Sequence, residues 1–191
     1  MALVESSMFP LGEKAPDFNL PDAVSGNTVT LDQIKSPIAT VIMFICNHCP
    51  YVQHIAHVLP TLANDYMPKG VAFVAISAND VENFPDDSFE NMATFARQKE
   101  LPFPYLYDES QAVAKAYQAA CTPDFYIFNS DLRCVYRGRM DGARPGNAIP
   151  VSGNDLRQAL DALIADKPPL ANQQPSIGCS IKWKETKGDG C

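Results

Sequence analysis

One stretch constrains this chain more than any other: an apolar run that ends directly in a cysteine motif. Residues 38–45, Ile38-Ala39-Thr40-Val41-Ile42-Met43-Phe44-Ile45, are apolar except for Thr40. The run is far short of the roughly 20 residues a membrane helix needs. Its length and β-branched content predict a strand buried on both faces. Cys46-Asn47-His48-Cys49-Pro50 follows without a linker. Proline fits a helix only in its first turn, so a helix must open near the cysteines. Val52, Ile55, Leu59, Leu62 and Tyr66 then recur at steps of three and four as one buried stripe. Pro60 predicts a kink within it.

The chemistry follows from that placement. A cysteine at a helix N-terminus meets exposed N–H groups and the positive end of the macrodipole, which stabilise a thiolate. Cys46 is expected to be the exposed nucleophile. Cys49, two residues further in, is within disulfide reach and resolves. His48 sits beside the leaving sulfur and, if protonated, favours the thiolate. A buried, unreactive pair is the bland alternative. Zinc is the other, through Cys46, Cys49, His54 and His57. The gap between the Cys and His pairs is shorter than in zinc fingers, and the histidines lie off the stripe. No metal and no organic cofactor is therefore expected.

Residues 71–77 predict a second buried strand, parallel to the first through a right-handed crossover. An acidic loop with Asp80, Asp86 and Asp87 reads as solvated. Residues 88–100 and 111–120 read as helices, and 103–107 as a short strand. Residues 124–128 and 132–137 flank the turn Asn129-Ser130-Asp131 as a hairpin. Asn154 is the expected N-cap of a last helix. Pro168-Pro169 ends that helix. Residues 1–168 form one α/β domain, and 169–191 read as a tail without periodicity.

Composition narrows the partners. At 46% hydrophobic and 19% charged the chain can bury a core. Its net charge of -7 argues against nucleic acid and anionic membranes. Residues 1–7 hold no basic stretch before an apolar one, so no signal peptide is expected. The six cysteines then suit a cytoplasmic redox protein better than a secreted disulfide framework.

A resemblance adds to this reading. Gly12-x-x-Ala15-Pro16-Asp17-Phe18-x-Leu20, the apolar strand, Cys46-x-x-Cys49 and Thr122-Pro123-Asp124-Phe125 together resemble the redoxin branch of the thioredoxin superfamily. That branch includes the alkyl hydroperoxide reductase/thiol-specific antioxidant group. Asn47-His48-Cys49-Pro50-Tyr51-Val52, Tyr136-Arg137-Gly138-Arg139-Met140-Asp141, Arg144-Pro145-Gly146 and the segment 175–184 resemble a peroxiredoxin-like subgroup. The resemblance implies a thioredoxin-like fold. Its five-stranded mixed sheet would run 103–107, 71–77, 38–45, 124–128, 132–137, with helices on both faces. It also implies a cis-proline loop at Thr122-Pro123 beside the dithiol. Asn47, Thr122 and Pro123 would contact the substrate.

The departures matter as well. Ile45 stands where thioredoxin-like reductases commonly have Trp. Thr40 stands where many have a buried carboxylate that carries the proton for the second cysteine. Peroxiredoxins use Pro-x-x-x-Thr-x-x-Cys. Counting back from Cys46 or Cys49 meets Met43 or Cys46 in place of Thr, and Ala39 or Ile42 in place of Pro.

The expected function is a thiol–disulfide oxidoreductase acting on protein or small-molecule disulfides, recycled by an external thiol reductant. A peroxiredoxin-like thiol-dependent peroxidase acting on peroxides and a redox-sensing binding module are the alternatives. Cys121 and Cys179 are candidate auxiliary redox residues. Cys134 reads as packing, and Cys191 is left out of the chemistry. Arg137, Arg139, Asp141 and Arg144 read as ion pairs that fix a loop. The only Trp, Trp183, suggests that the tail docks on the domain.

Overall fold

The computed structural model describes residues 3–185. Ten strands and six helices run β1 (Leu3–Glu5), β2 (Asn19–Pro21), β3 (Thr28–Thr30), α1 (Leu31–Ile34), β4 (Ala39–Phe44), α2 (Pro50–Ile55), α3 (Leu59–Tyr66) and β5 (Val71–Ser77). They continue with α4 (Phe89–Gln98), β6 (Tyr105–Tyr107), α5 (Ala112–Ala116), β7 (Cys121–Thr122), β8 (Asp124–Asn129), β9 (Cys134–Gly138), α6 (Asn154–Ile164) and β10 (Ile177–Ser180).

The central sheet has the order β6-β5-β4-β8-β9. β6, β5 and β4 are mutually parallel, and β8 and β9 join antiparallel. This is the sheet order that the resemblance implies. β4 is buried along its whole length because its alternating side chains enter two cores. Val41 and Met43 pack with α2, α3, α4 and α6, while Ile42 and Phe44 pack with Phe18, Leu31, Ala114 and Tyr117. A strand covered on both sides must be apolar at every position, and that is why the run is continuous.

Three local expectations change. The helix after the cysteines is two helices, α2 and α3, with Pro60 at the start of the second. Proline's missing N–H and fixed φ end one helix and suit the opening of the next. Asn154 is the first residue of α6 and not its cap: Gly153 takes that place at φ 71. The orphan donors of the first turn go to a distant carbonyl, since Met140 O accepts from the N–H groups of Asp155 and Leu156, each at 3.1 Å, while Asp141 Oδ2 holds the entry to the helix through the N–H groups of Ser152 and Gly153, each at 2.7 Å.

The third concerns the segment after Pro169. β10 lies between β1 and β7 in a separate three-stranded ribbon. Lys182 is held at both backbone groups, its N–H on Asn79 Oδ1 at 2.8 Å and its carbonyl on Asp80 N–H at 2.9 Å. Backbone pairing attaches this segment, whereas Trp183 is 40% exposed and only covers Lys115. Cys191 lies outside the described residues.

Candidate active site

Four segments converge where β4 ends. Cys49 is the N-cap of α2, with Pro50 at the first helical position. Cys46 lies three residues earlier, in the loop leaving β4. The Thr122–Pro123 peptide is cis. Thr122 touches both sulfurs: its Oγ1 lies 3.2 Å from Cys46 Sγ, and its carbonyl accepts from Cys49 Sγ at 3.2 Å. β10 lies against Thr122, with Cys179 directly opposite it in the register.

The expectation of an exposed Cys46 is overturned. Cys46 is 1% exposed and Cys49 0%, because Thr122 and the preceding strand's core enclose them. The thiolate also sits differently. The two sulfurs titrate as a coupled pair, the Cys46 thiol pushed up and the Cys49 thiol down. Donation to Cys49, then burial, then the nearby Asp87 charge push the Cys46 thiol well up. Cys49 goes the other way, down to about 5. The hydrogen bond from Cys46 does most of this, against burial, with smaller help from Cys179, the Val52 N–H and Thr122. The helix N-terminus therefore acts on Cys49, the residue that caps it.

Asp87 is the residue that sequence reasoning missed. It was expected in a solvated loop; it is fully buried. Its Oδ1 accepts from the backbone N–H of Asn47 (2.7 Å) and of His48 (3.2 Å). Its Oδ2 meets Asn79 Nδ2 at 2.7 Å and His48 Nδ1 at 2.6 Å. Four partners saturate the carboxylate. Cys46, His48 and Asp87 do present ligand atoms within 4.8 Å of one another. However, both carboxylate oxygens already serve the protein. Asp80 is buried as well, at 4% exposure, and takes the Asn83 amide at 2.6 Å.

His48 is therefore aimed at Asp87 and stacks on Phe84, with ring centroids 5.7 Å apart. Asn47, expected at the substrate, is buried and spent on the loop. Its amide donates to Asp86 O at 2.9 Å and accepts from the Tyr105 hydroxyl at 3.1 Å. Cys121 turns its sulfur toward the Pro123 carbonyl and touches neither dithiol sulfur by hydrogen bond, and burial pushes its thiol up. The arginine motif forms ion pairs, Arg137 with Asp124 at 2.9 Å and Arg139 with Asp155 at 2.6 Å. Arg144 instead lines a shallow cleft beside Pro123, together with Tyr51, Arg139 and Ile177.

The AhpC/TSA family model matches residues 11–137, more than half of the chain and inclusive of both sulfurs and Thr122-Pro123. The chain belongs to the AhpC/TSA family. This family member thus sits in the redoxin branch of the thioredoxin superfamily, with a thiol-based redox role. It is 62% identical to an uncharacterized conserved protein from Geobacillus kaustophilus, over 97% of this chain and 98% of that one, with TM-score 0.96. It is 46% identical to a hypothetical protein from Sinorhizobium meliloti 1021, over 95% and 99%, with TM-score 0.93. The thioredoxin domain of a thiol-disulfide oxidoreductase from Bacteroides vulgatus shares the fold at TM-score 0.58 and 17% identity, over 72% of this chain and 91% of that one. No curated protein matches the sequence. Among the described residues, no helix of this AhpC/TSA protein is long and apolar enough to cross a membrane.

Proposed function

We propose that the protein is a thiol–disulfide oxidoreductase in which Cys46 attacks a substrate disulfide and Cys49 resolves the mixed disulfide. The observation that carries this is the meeting of both sulfurs at one residue where β4 ends, Cys46 Sγ 3.2 Å from the Thr122 hydroxyl and Cys49 Sγ 3.2 Å from the Thr122 carbonyl. The cleft beside Pro123 is the route by which a substrate strand approaches. External thiols return the oxidised dithiol to its starting state, in the cytoplasm.

The pair supplies the proton carrier that Thr40 does not. Cys49 thiolate takes the Cys46 proton as Cys46 sulfur bonds to the nearer substrate sulfur. The substrate S–S bond breaks, and its far sulfur leaves as thiolate. That thiolate takes the proton from Cys49. Cys49, again a thiolate, attacks Cys46 sulfur and expels the second substrate sulfur as a thiolate, which takes a proton from solvent, leaving a Cys46–Cys49 disulfide. Two electrons have passed from the dithiol to the substrate.

Cys49→Ser tests this, because it removes the sulfur that resolves. Incubated with insulin, that variant should accumulate a mixed disulfide at Cys46, and turnover should fall at least a hundredfold. A variant that still turns over, or whose adduct sits elsewhere, would sink the assignment. A peroxide reaction has one observation in its favour, the Thr122 hydroxyl 3.2 Å from Cys46 Sγ. A hydrogen peroxide rate far above that of an ordinary thiolate would move that reading to first place.

A further inference from the structure

Of the remaining cysteines, Cys134 donates to Tyr136 O at 3.5 Å inside the second core. Cys121 lies one residue from Thr122 on a strand, so its side chain leaves on the opposite face. Cys179 differs from both. It pairs with Thr122 in the β10–β7 register, and cross-strand partners share a face. Thr122 is the residue that contacts both dithiol sulfurs. Cys179 accordingly reaches the dithiol face, is 5% exposed, and lies in the same buried cluster as Cys46 and Cys49.

The approach is built into the strand. A Cβ at Gly178 would lie 2.0 Å from the Thr122 carbonyl oxygen and 3.2 Å from Pro123 N. Only glycine lets β10 come this near the loop. On the other side β10 pairs with β1, so the ribbon holds Cys179 from both edges. Beyond it, Gln111 Nε2 donates to Lys182 O at 2.8 Å and keeps the chain from peeling back.

We propose that Cys179 is a third redox-active thiol, which exchanges with the Cys46–Cys49 disulfide and moves it to Cys49–Cys179. This rests on the disulfide that the proposed oxidoreductase step forms. Cys179 gives its proton to solvent, and its sulfur attacks Cys49 Sγ. The Cys49–Cys179 bond forms as the Cys46–Cys49 bond breaks. Cys46 leaves as thiolate and takes a proton. No net oxidation occurs, so no further oxidant is needed. The exchange returns Cys46 to its thiol form while the protein stays oxidised, and it ties β10 covalently to α2.

Two measurements test this on the full chain. In Cys46→Ser, treatment with diamide should give a Cys49–Cys179 disulfide as the main product in a non-reducing peptide map. Recovery of both cysteines as free thiols, or of Cys49 joined to Cys121, would overturn the proposal. In the unmodified protein carrying one disulfide per chain, iodoacetamide should label Cys46, and Cys179→Ser should reduce that labelling at least tenfold. Equal labelling with and without Cys179 would overturn it too. Insulin turnover reads the oxidoreductase step separately. If insulin is not reduced yet the Cys49–Cys179 disulfide forms, only that step fails. If insulin is reduced and no such disulfide forms, only the exchange fails.

Discussion

The two sulfurs of the dithiol are three residues apart and live in opposite environments. Cys46 has a buried carboxylate beside it, and a negative charge on its sulfur is repelled by Asp87. Cys49 has donors around it: Cys46, Cys179 and the Val52 N–H. The helix end favours a charge at the residue that caps it, and the acidic turn Pro85–Asp87 disfavours one at the residue before. Where the thiolate rests is thus decided by two different segments, one local and one about 40 positions away. A Cys-x-x-Cys pair cannot be assigned its charges from the helix alone.

The sharpest way to break the asymmetry is at Asp87. Asp87→Asn keeps the shape and removes the charge, so Cys46 should titrate lower and alkylate faster, by tenfold or more at pH 7. Four donors lose a charged acceptor, which costs roughly 2–3 kcal/mol of stability. Thiolate absorbance at 240 nm against pH, with a urea melt, reads both effects. An unmoved titration curve would mean that Asp87 only holds the loop.

Gly178→Ala attacks the other flank. The added methyl meets backbone and not a yielding side chain, so β10 must lift from Thr122. Overpacking of this kind costs about 1–3 kcal/mol. Cys179 should become labelled at least tenfold faster by iodoacetamide, and the Cys49 titration should move up. Unchanged labelling would show that the ribbon accommodates the methyl.

The pH dependence of the reduced protein gives a smaller effect with a definite sign. The Cys49 thiol falls from its ordinary 9.0 to about 5 on folding. Between those values the unfolded chain binds the extra proton, so stability rises with pH. The contribution is whole above pH 9 and is lost as pH falls through about 5. Urea midpoints of the reduced protein at pH 5, 7 and 9 should climb, and those of Cys49→Ser should stay flatter. Equal slopes would contradict the placement of the charge.

His48→Ala should have the least effect. The imidazole contacts Asp87 and Phe84, so it reaches Cys46 only through Asp87. Its loss leaves Asp87 Oδ2 with Asn79 alone, and Cys46 should titrate slightly higher, by less than one pH unit. Stability should fall by about 1 kcal/mol. A large drop in the Cys46 titration would reverse this view of the dyad.

The buried β4 and the junction carrying the cysteines are legible in the sequence, because each rests on local periodicity or on Pro50, whereas the sheet order comes only from the resemblance. Asp87 is not. An acid in a loop of acids has no period to report, and its burial follows from the distant Asn47 and Asn79 that receive it. Asn154 does not cap for a similar reason, since the Met140 carbonyl, far back in the chain, supplies the acceptor for the first-turn donors. β10 left a faint signal, the alternation Ile177, Cys179, Ile181, with a glycine where the strand approaches the loop. Its partner strands are too short to have shown what it pairs with.

The β1–β10–β7 ribbon bears on how the protein reaches its first redox state. It joins Leu3 to Cys179, the two extremes of the described chain. Contacts of such sequence separation pay the largest loop-closure entropy and slow folding. The central sheet, built mostly from nearer segments, can form before them. Until the ribbon closes, Cys46 and Cys49 lack Cys179 as neighbour and the cover that β10 gives Thr122. Whatever thiol–disulfide poise surrounds the nascent chain then decides whether the finished protein starts its working life reduced or oxidised.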